Sequence, residues 1–277
     1  MPRNLGSLDS LPKLPVLPAS PLAGDVCIVA NMPFVALDDG VWSGLNDLVF
    51  PYSLYAWSPV SGATTNAGLG LAWTGTGTAT AYTPTNAFRI ASLPMLEYAA
   101  NTAATNAVAG YRSGAPFLWR QGGFVFRQVW RTSNGQTIGT HRTFVGLRGA
   151  NAAPTDVNPS SLTDIIGMGW DSGDAQVSIL SNDNTGTATK IALGTSFPRP
   201  TADRSDGYYI ELLALPGSSE VRYRVINLGN NAVATGSLSV DIPALTTQLQ
   251  ILGYASVGGT SSVIAIRVGA TQVLSGV

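Results

Sequence analysis

The sequence predicts an all-β protein: an antiparallel β-sandwich of jelly-roll type preceded by an extended Pro/Leu-rich N-terminal arm. Three features carry this reading. From Phe124 to Val268 apolar and polar residues alternate in short runs, the period of a strand that buries one face. The connectors between those runs include Asn182-Asp183-Asn184-Thr185-Gly186, Pro216-Gly217-Ser218-Ser219, Gly229-Asn230-Asn231 and Gly258-Gly259, residues that tolerate the positive φ of tight hairpins. No stretch sustains a capped 3.6-residue apolar spacing; the nearest, 93–109, is heavy in Ala, Thr and Asn, so helix content is expected to be low.

The chain divides into three regions on this pattern. In 1–24, Pro12, Pro15, Pro18 and Pro21 recur every third residue, interleaved with Leu11, Leu14 and Leu17. Three residues per turn is the period of polyproline II, which has no internal hydrogen bonds. A leucine ridge on such an arm needs an apolar surface, its own domain or a neighbouring subunit, so Leu11, Pro12, Leu14, Pro15, Leu17 and Pro18 are the expected anchoring residues. A mobile Pro-rich linker is the competing reading.

Region 25–110 is expected to be β-rich, with strands at 26–30, 48–57 and 69–73 and a weakly patterned Thr/Gly/Ala run at 74–85. Region 111–277 is the sandwich. Phe124, Phe126, Gln128 and Trp130 share one strand face and Val125, Arg127, Val129 and Arg131 the other. Further strands are predicted at 142–148, 165–170, 175–180, 187–193, 208–215, 221–227, 232–240, 248–255 and 262–268, an even spacing that suits two facing sheets.

Several segments of the last 165 residues or so also carry a resemblance. Phe144-Val145-Gly146-Leu147-Arg148 is followed by Ala153-Pro154-Thr155-Asp156-Val157-Asn158-Pro159-Ser160-Ser161-Leu162 and Ile165-Ile166-Gly167-Met168-Gly169-Trp170. Asn182-Asp183, Gly186-Thr187-Ala188-Thr189-Lys190-Ile191, Leu193-Gly194, Phe197-Pro198-Arg199, Tyr208-Tyr209-Ile210-Glu211-Leu212, Val221-Arg222-Tyr223-Arg224-Val225 and Ala234-Thr235-Gly236 complete the order. This series resembles the C-terminal β-sandwich module of bacteriophage fibre, spike and minor structural proteins. The resemblance implies a symmetric, commonly trimeric protein on a virion or phage-like particle, in contact with other virion proteins (capsid, tail or fibre subunits) and with host surface polysaccharide. It implies no catalytic residues and no cofactor. The short arm, with no coiled coil or shaft repeat before the sandwich, fits a head spike, a spike base or a capsid decoration protein better than a long tail fibre.

Composition points the same way. Only 11% of the residues are charged, less than half the usual globular level, and there is a single histidine and a single cysteine. Acid–base and nucleophilic chemistry near neutral pH draws on just those residue types, so recognition is expected rather than catalysis. A net charge of −1 gives no electrostatic reason to bind nucleic acid. Cys27, in Val26-Cys27-Ile28-Val29, reads as a small apolar strand residue. No window approaches the ~20 apolar residues of a membrane span, and no basic segment with an apolar core opens the sequence. Synthesis in the host cytoplasm without a signal peptide, and residence on the particle surface, are expected.

Individual candidates are weak. His141 has no Gly-x-Ser-x-Gly nucleophile elbow to serve. Asp171 and Asp174, and separately Asp203 and Asp206, lie on turns where calcium binds in other proteins, but turn carboxylates usually bond their own backbone, and no metal is expected. Glu211 and Glu220 flank a hairpin; a depolymerase needs two carboxyls roughly 5–10 Å apart, and pairing with Arg222 or Arg224 is their more ordinary role. Gly68-x-Gly70 and Gly75-Thr76-Gly77 precede no helix and read as strand ends, not phosphate loops. Trp119, Trp130, Trp170 and Tyr254 are the aromatic candidates for a subunit interface or glycan contact, core packing being the usual fate of such residues.

Overall fold

Two stacked sheets hold most of the chain. A computed structural model describes residues 73–82, 94–114, 118–132, 139–200 and 207–276 in full. It also describes the backbone of six earlier strands: β1 (Lys13–Leu14), β2 (Val26–Val29), β3 (Met32–Asp38), β4 (Val41–Gly44), β5 (Tyr52–Trp57) and β6 (Gly68–Leu69). The chain forms two units, 1–52 and 53–276.

In the first unit β1 to β4 lie side by side in chain order. β1 runs parallel to β2, Lys13 opposite Ile28 and Leu14 opposite Val29, and β2–β3 and β3–β4 are antiparallel. Leu14 is thus part of a paired strand, not of a free polyproline ridge. Leu11, Pro12, Pro15, Leu17 and Pro18 lie outside the described residues.

The second unit adds β7 (Trp73–Thr76), β8 (Thr78–Tyr82), β9 (Met95–Ala99), β10 (Val108–Ser113), β11 (Phe124–Thr132), β12 (Arg142–Arg148), β13 (Ile165–Trp170), β14 (Ser178–Asn182), β15 (Thr189–Ala192), β16 (Tyr208–Ala214), β17 (Val221–Asn227), β18 (Val233–Leu238), β19 (Gln250–Ser256) and β20 (Ala265–Gly276). One sheet has seven strands in the order β15-β14-β13-β12-β19-β10-β7. The other has nine: β18-β17-β16-β11-β20-β5-β6, with β9 also beside β20 and β8 beside β9. The fold class is the one the alternation predicts, and among the described residues no helix is long and apolar enough to cross a membrane. Asn184, Gly186, Gly217, Asn231, Gly258 and Gly259 take positive φ in the connectors expected to need it.

Alternation along β11 places Phe124, Phe126 and Trp130 in the core with Ile210 and Leu212 of β16, and the seven-stranded sheet answers with Val145, Leu147, Ile166, Met168 and Trp170. Trp130 stacks on Trp170 across the sandwich, centroids 5.8 Å apart, and its indole N–H points at the Met168 sulfur 3.4 Å away. A polar relay crosses the same layer. The Tyr111 hydroxyl of β10 donates to Gln128 Oε1 of β11 (2.7 Å), and Gln128 Nε2 donates to the Thr271 hydroxyl of β20 (2.8 Å). Gly253 makes room for it, since a Cβ there would stand 2.2 Å from the Tyr111 ring.

A second apolar cluster covers the far face of the seven-stranded sheet: Phe144, Ile165, Leu180, Leu252 and Tyr254 beneath Leu162 and Ala188. Connector 149–164 forms its roof, tied down by Tyr254 donating to the Val157 carbonyl (3.0 Å) and by Ala188 N–H donating to the Ser160 carbonyl. β13, β14 and β19 are therefore buried on both faces.

In keeping with the low helix content expected, 94–109 holds strands: Met95, Leu96 and Tyr98 are buried in β9, and β10 begins at Val108. The run at 74–85 holds strands β7 and β8, whose small residues carry little hydropathic contrast. A boundary at 110 would cut β10, the neighbour of β19, and the observed division falls between 52 and 53.

The Tyr111–Gln128 bond is predicted to couple the sheets. Gln128→Leu strands a buried hydroxyl and should cost about 1–3 kcal/mol, whereas adding Tyr111→Phe should recover part of that loss. Urea denaturation of the two single variants and the double variant reads the coupling; strictly additive losses would contradict it.

Candidate functional site

The outward face of the nine-stranded sheet is set by the same alternation. With Phe124, Phe126, Gln128 and Trp130 turned inward, β11 turns Val125, Arg127 and Val129 outward, and β16 likewise turns out Tyr209 and Glu211. Register then builds a row across four strands: Arg224 of β17 opposite Glu211, Glu211 opposite Arg127, and Arg127 opposite Gln272 of β20. A register shift between Gln128 and Trp130 sets Gly269 and Ala270 of β20 against Val129 alone, so β20 bulges there. Arg127, Val129, Tyr209, Glu211, Arg224, Ala270 and Gln272 line an open groove of about 410 Å³.

Within the groove Glu211 is the hub. Its Oε2 accepts from Arg127 Nε at 2.5 Å and from the Tyr209 hydroxyl at 3.1 Å. The bond to Glu211 raises the pKa of the Arg127 guanidinium above its ordinary value. Partial burial, then the charge and hydrogen bond of Glu211, push the Tyr209 phenol up to about 12, so it stays protonated and donating. Arg224 faces the same carboxylate across the strand pair, is exposed, and has no hydrogen bond or ion pair among the described residues. The groove thus presents a tyrosine ring, a fixed carboxylate–guanidinium pair, a side-chain amide and a second guanidinium, a set suited to hydroxyl-rich ligands.

The candidates from sequence fall elsewhere. Trp130, Trp170 and Tyr254 are interior, at 0%, 0% and 1% exposure, so they give no surface to a ligand or subunit in this fold; the first two pack between the sheets and the third under connector 149–164. Trp119 is half-buried over Gly122, whose absent side chain leaves space for the indole. His141 sits at the leading end of β12, just before Arg142, and is buried; its ring meets Trp170 edge-on, and its carbonyl accepts the Trp170 indole N–H at 3.1 Å.

Asp171 and Asp174 converge on Lys190, whose ammonium lies 2.8 and 2.5 Å from them, while the Ser160 N–H donates to Asp171. Among the described residues no three His, Cys, Asp or Glu side chains gather as metal ligands. Asp203 and Asp206 lie outside the described residues. Glu220 pairs with Arg222 at 2.7 Å, and Glu211 is the groove's one carboxylate among the described residues. Gly68 and Gly75 are in strands, Gly77 turns between β7 and β8 at φ +87°, and Gly70 is outside the described residues.

No protein-family profile and no curated protein matches the sequence. Among solved structures, peanut lectin crystallised with a nine-residue peptide aligns with a TM-score of 0.51 at 10% identity, covering 82% of this chain and 98% of the lectin. Lectin UEA-II, complexed with galactose, aligns at 0.52 and 10% identity over 80% of this chain and 98% of its own. The fold is that of the legume lectins. At this identity the likeness establishes the architecture, and the lectin-type sandwich supplies the frame on which the groove sits.

Asp171 gives this frame a pH signature. Burial raises its pKa, but the bonds from Lys190 and Ser160 outweigh that and hold it below the ordinary carboxylate value. A depressed folded pKa contributes stability above the unfolded value of about 3.9, which is lost as pH falls through the folded one. Lys190→Met removes the ammonium that holds the carboxylate down, so the variant should be less stable than the wild type at neutral pH by an amount that shrinks as pH falls through the carboxylate range. Urea denaturation at several pH values followed by circular dichroism reads this, and a difference independent of pH would contradict it.

Proposed function

We propose that this protein binds a glycan in the groove of its nine-stranded sheet and holds it without cleaving it. The observation that carries the reading is the outward row Arg127–Glu211 with Tyr209, a preorganised hydrogen-bonding surface beside an aromatic ring, set on a lectin-type sandwich. UEA-II, which shares the architecture, is described with galactose bound. Binding without cleavage is supported by Glu211, the one carboxylate among the groove's described residues, being already committed to Arg127 and Tyr209, whereas glycoside hydrolysis needs two carboxyls in separate roles.

We further propose that the binding serves attachment: the protein is a surface subunit of a phage or phage-like particle, a spike, spike base or short fibre, working as an oligomer of the trimeric kind. Support for this comes from the ordered series of segments between Phe144 and Gly236. The N-terminal arm would join it to other virion proteins.

Isothermal titration against host-surface oligosaccharides tests the binding. Tyr209→Ala removes the ring without touching the core and should weaken binding about ten-fold or more, with the thermal midpoint nearly unchanged. Equal affinity of variant and wild type would reject the groove. Chain length of capsular polysaccharide after incubation should stay constant; shortening would make the protein an enzyme. Labelled particles should carry it at the surface, and its absence there would reject the attachment role.

A further inference from the structure

We infer that the groove selects an acidic saccharide, one whose carboxylate is held by Arg224; this rests on the glycan-binding reading above. The argument is a charge count over one row of side chains. Among the described residues the groove lining has two guanidinium groups, Arg127 and Arg224, and one carboxylate, Glu211. Glu211 is committed to Arg127 and Tyr209, so one positive charge is left over, on Arg224. Register places Arg224 directly opposite Glu211, yet the carboxylate turns to the other strand, and Arg224 stays exposed with no hydrogen bond or ion pair among the described residues.

The surroundings sharpen the contrast. Two residues along β17, Arg222 is matched by Glu220 at 2.7 Å, so the neighbouring charge is neutralised within the protein. At the opposite end of the row stands Gln272, exposed and neutral. The row from Arg224 to Gln272 crosses three strand-to-strand spacings, about 14 Å, enough for a short oligosaccharide lying across the strands. A ligand in that pose meets a guanidinium at one end, the Tyr209 ring near the middle and an amide at the other end. Guanidinium geometry matches a carboxylate with two parallel N–H···O bonds, which favours a uronic- or sialic-type sugar over a neutral one.

The test titrates the full chain with uronic-acid and sialic-acid oligosaccharides, with their carboxyl-reduced neutral counterparts and with a sulfated oligosaccharide. In the wild type the best carboxylated ligand should bind about ten-fold tighter than its reduced form and tighter than the sulfated one. Arg224→Gln should erase that preference while keeping the neutral affinity, and Arg224→Lys should restore only part of it. Arg224 is exposed, and an unchanged thermal midpoint shows that the fold is intact. Equal binding of acidic and neutral forms by the wild type overturns the inference and leaves the glycan reading standing. So does an acid preference that survives Arg224→Gln, or a sulfated ligand that binds best. Failure of every saccharide, or binding indifferent to Tyr209→Ala, overturns both.

Discussion

Trp130 stacked on Trp170 locks the inward face of β11 against the opposite sheet, and everything on the outward face follows from that lock. A strand has period two, so turning Trp130 inward together with Phe124 and Phe126 leaves Arg127 no choice of side. The Gln128 relay reinforces the register, because a slip by one residue would separate its amide from both Tyr111 and Thr271. The core therefore acts on function indirectly: it holds the backbone that aims Arg127, Tyr209 and Glu211 at solvent.

The outward face shows how few charges are needed to define a site. In a chain this poor in ionisable residues, many of the described ones are tied in ion pairs: Lys190 with Asp171 and Asp174, Arg142 with Asp156, Arg267 with Glu97, Arg222 with Glu220. Those pairs fasten connectors and strand edges. The Arg127–Glu211 pair differs by sitting on the open face of the sheet within a groove, where its rigidity becomes available to a ligand. Two partners fix the Glu211 carboxylate, so a ligand in the proposed site need not order it, which lowers the entropic cost of association.

Much of the fold was legible in the sequence. Strands β12, β13 and β17 begin and end where alternation and turn residues put them, because each is bounded by connectors rich in Gly, Asn, Asp or Pro. Strands β7 and β8 were not legible: Thr, Ala and Gly differ too little in hydropathy to print a period. The fate of Tyr254 was hidden for a different reason. It points away from the main core and would be a surface aromatic but for connector 149–164, and no local pattern announces that a loop will fold back over a sheet. The groove was hidden by distance along the chain, since Arg127 and Glu211 are 84 residues apart and meet through the register of β11 with β16. Glu211 was expected to pair with Arg222 or Arg224 of the next strand; it pairs instead with Arg127 on its other neighbour, a partner that could be named only once strand order was known.

The central claim is that the outward row of the nine-stranded sheet is where this lectin-type sandwich meets its ligand. Chemical-shift mapping of isotopically labelled protein during addition of a host-surface oligosaccharide addresses it most directly. The account predicts shifts concentrated on Arg127, Tyr209, Glu211, Arg224 and Gln272, with Trp130, Trp170 and the Asp171–Lys190 cluster undisturbed. Shifts confined to connector 149–164, or to the turns at the ends of the sandwich, would contradict it.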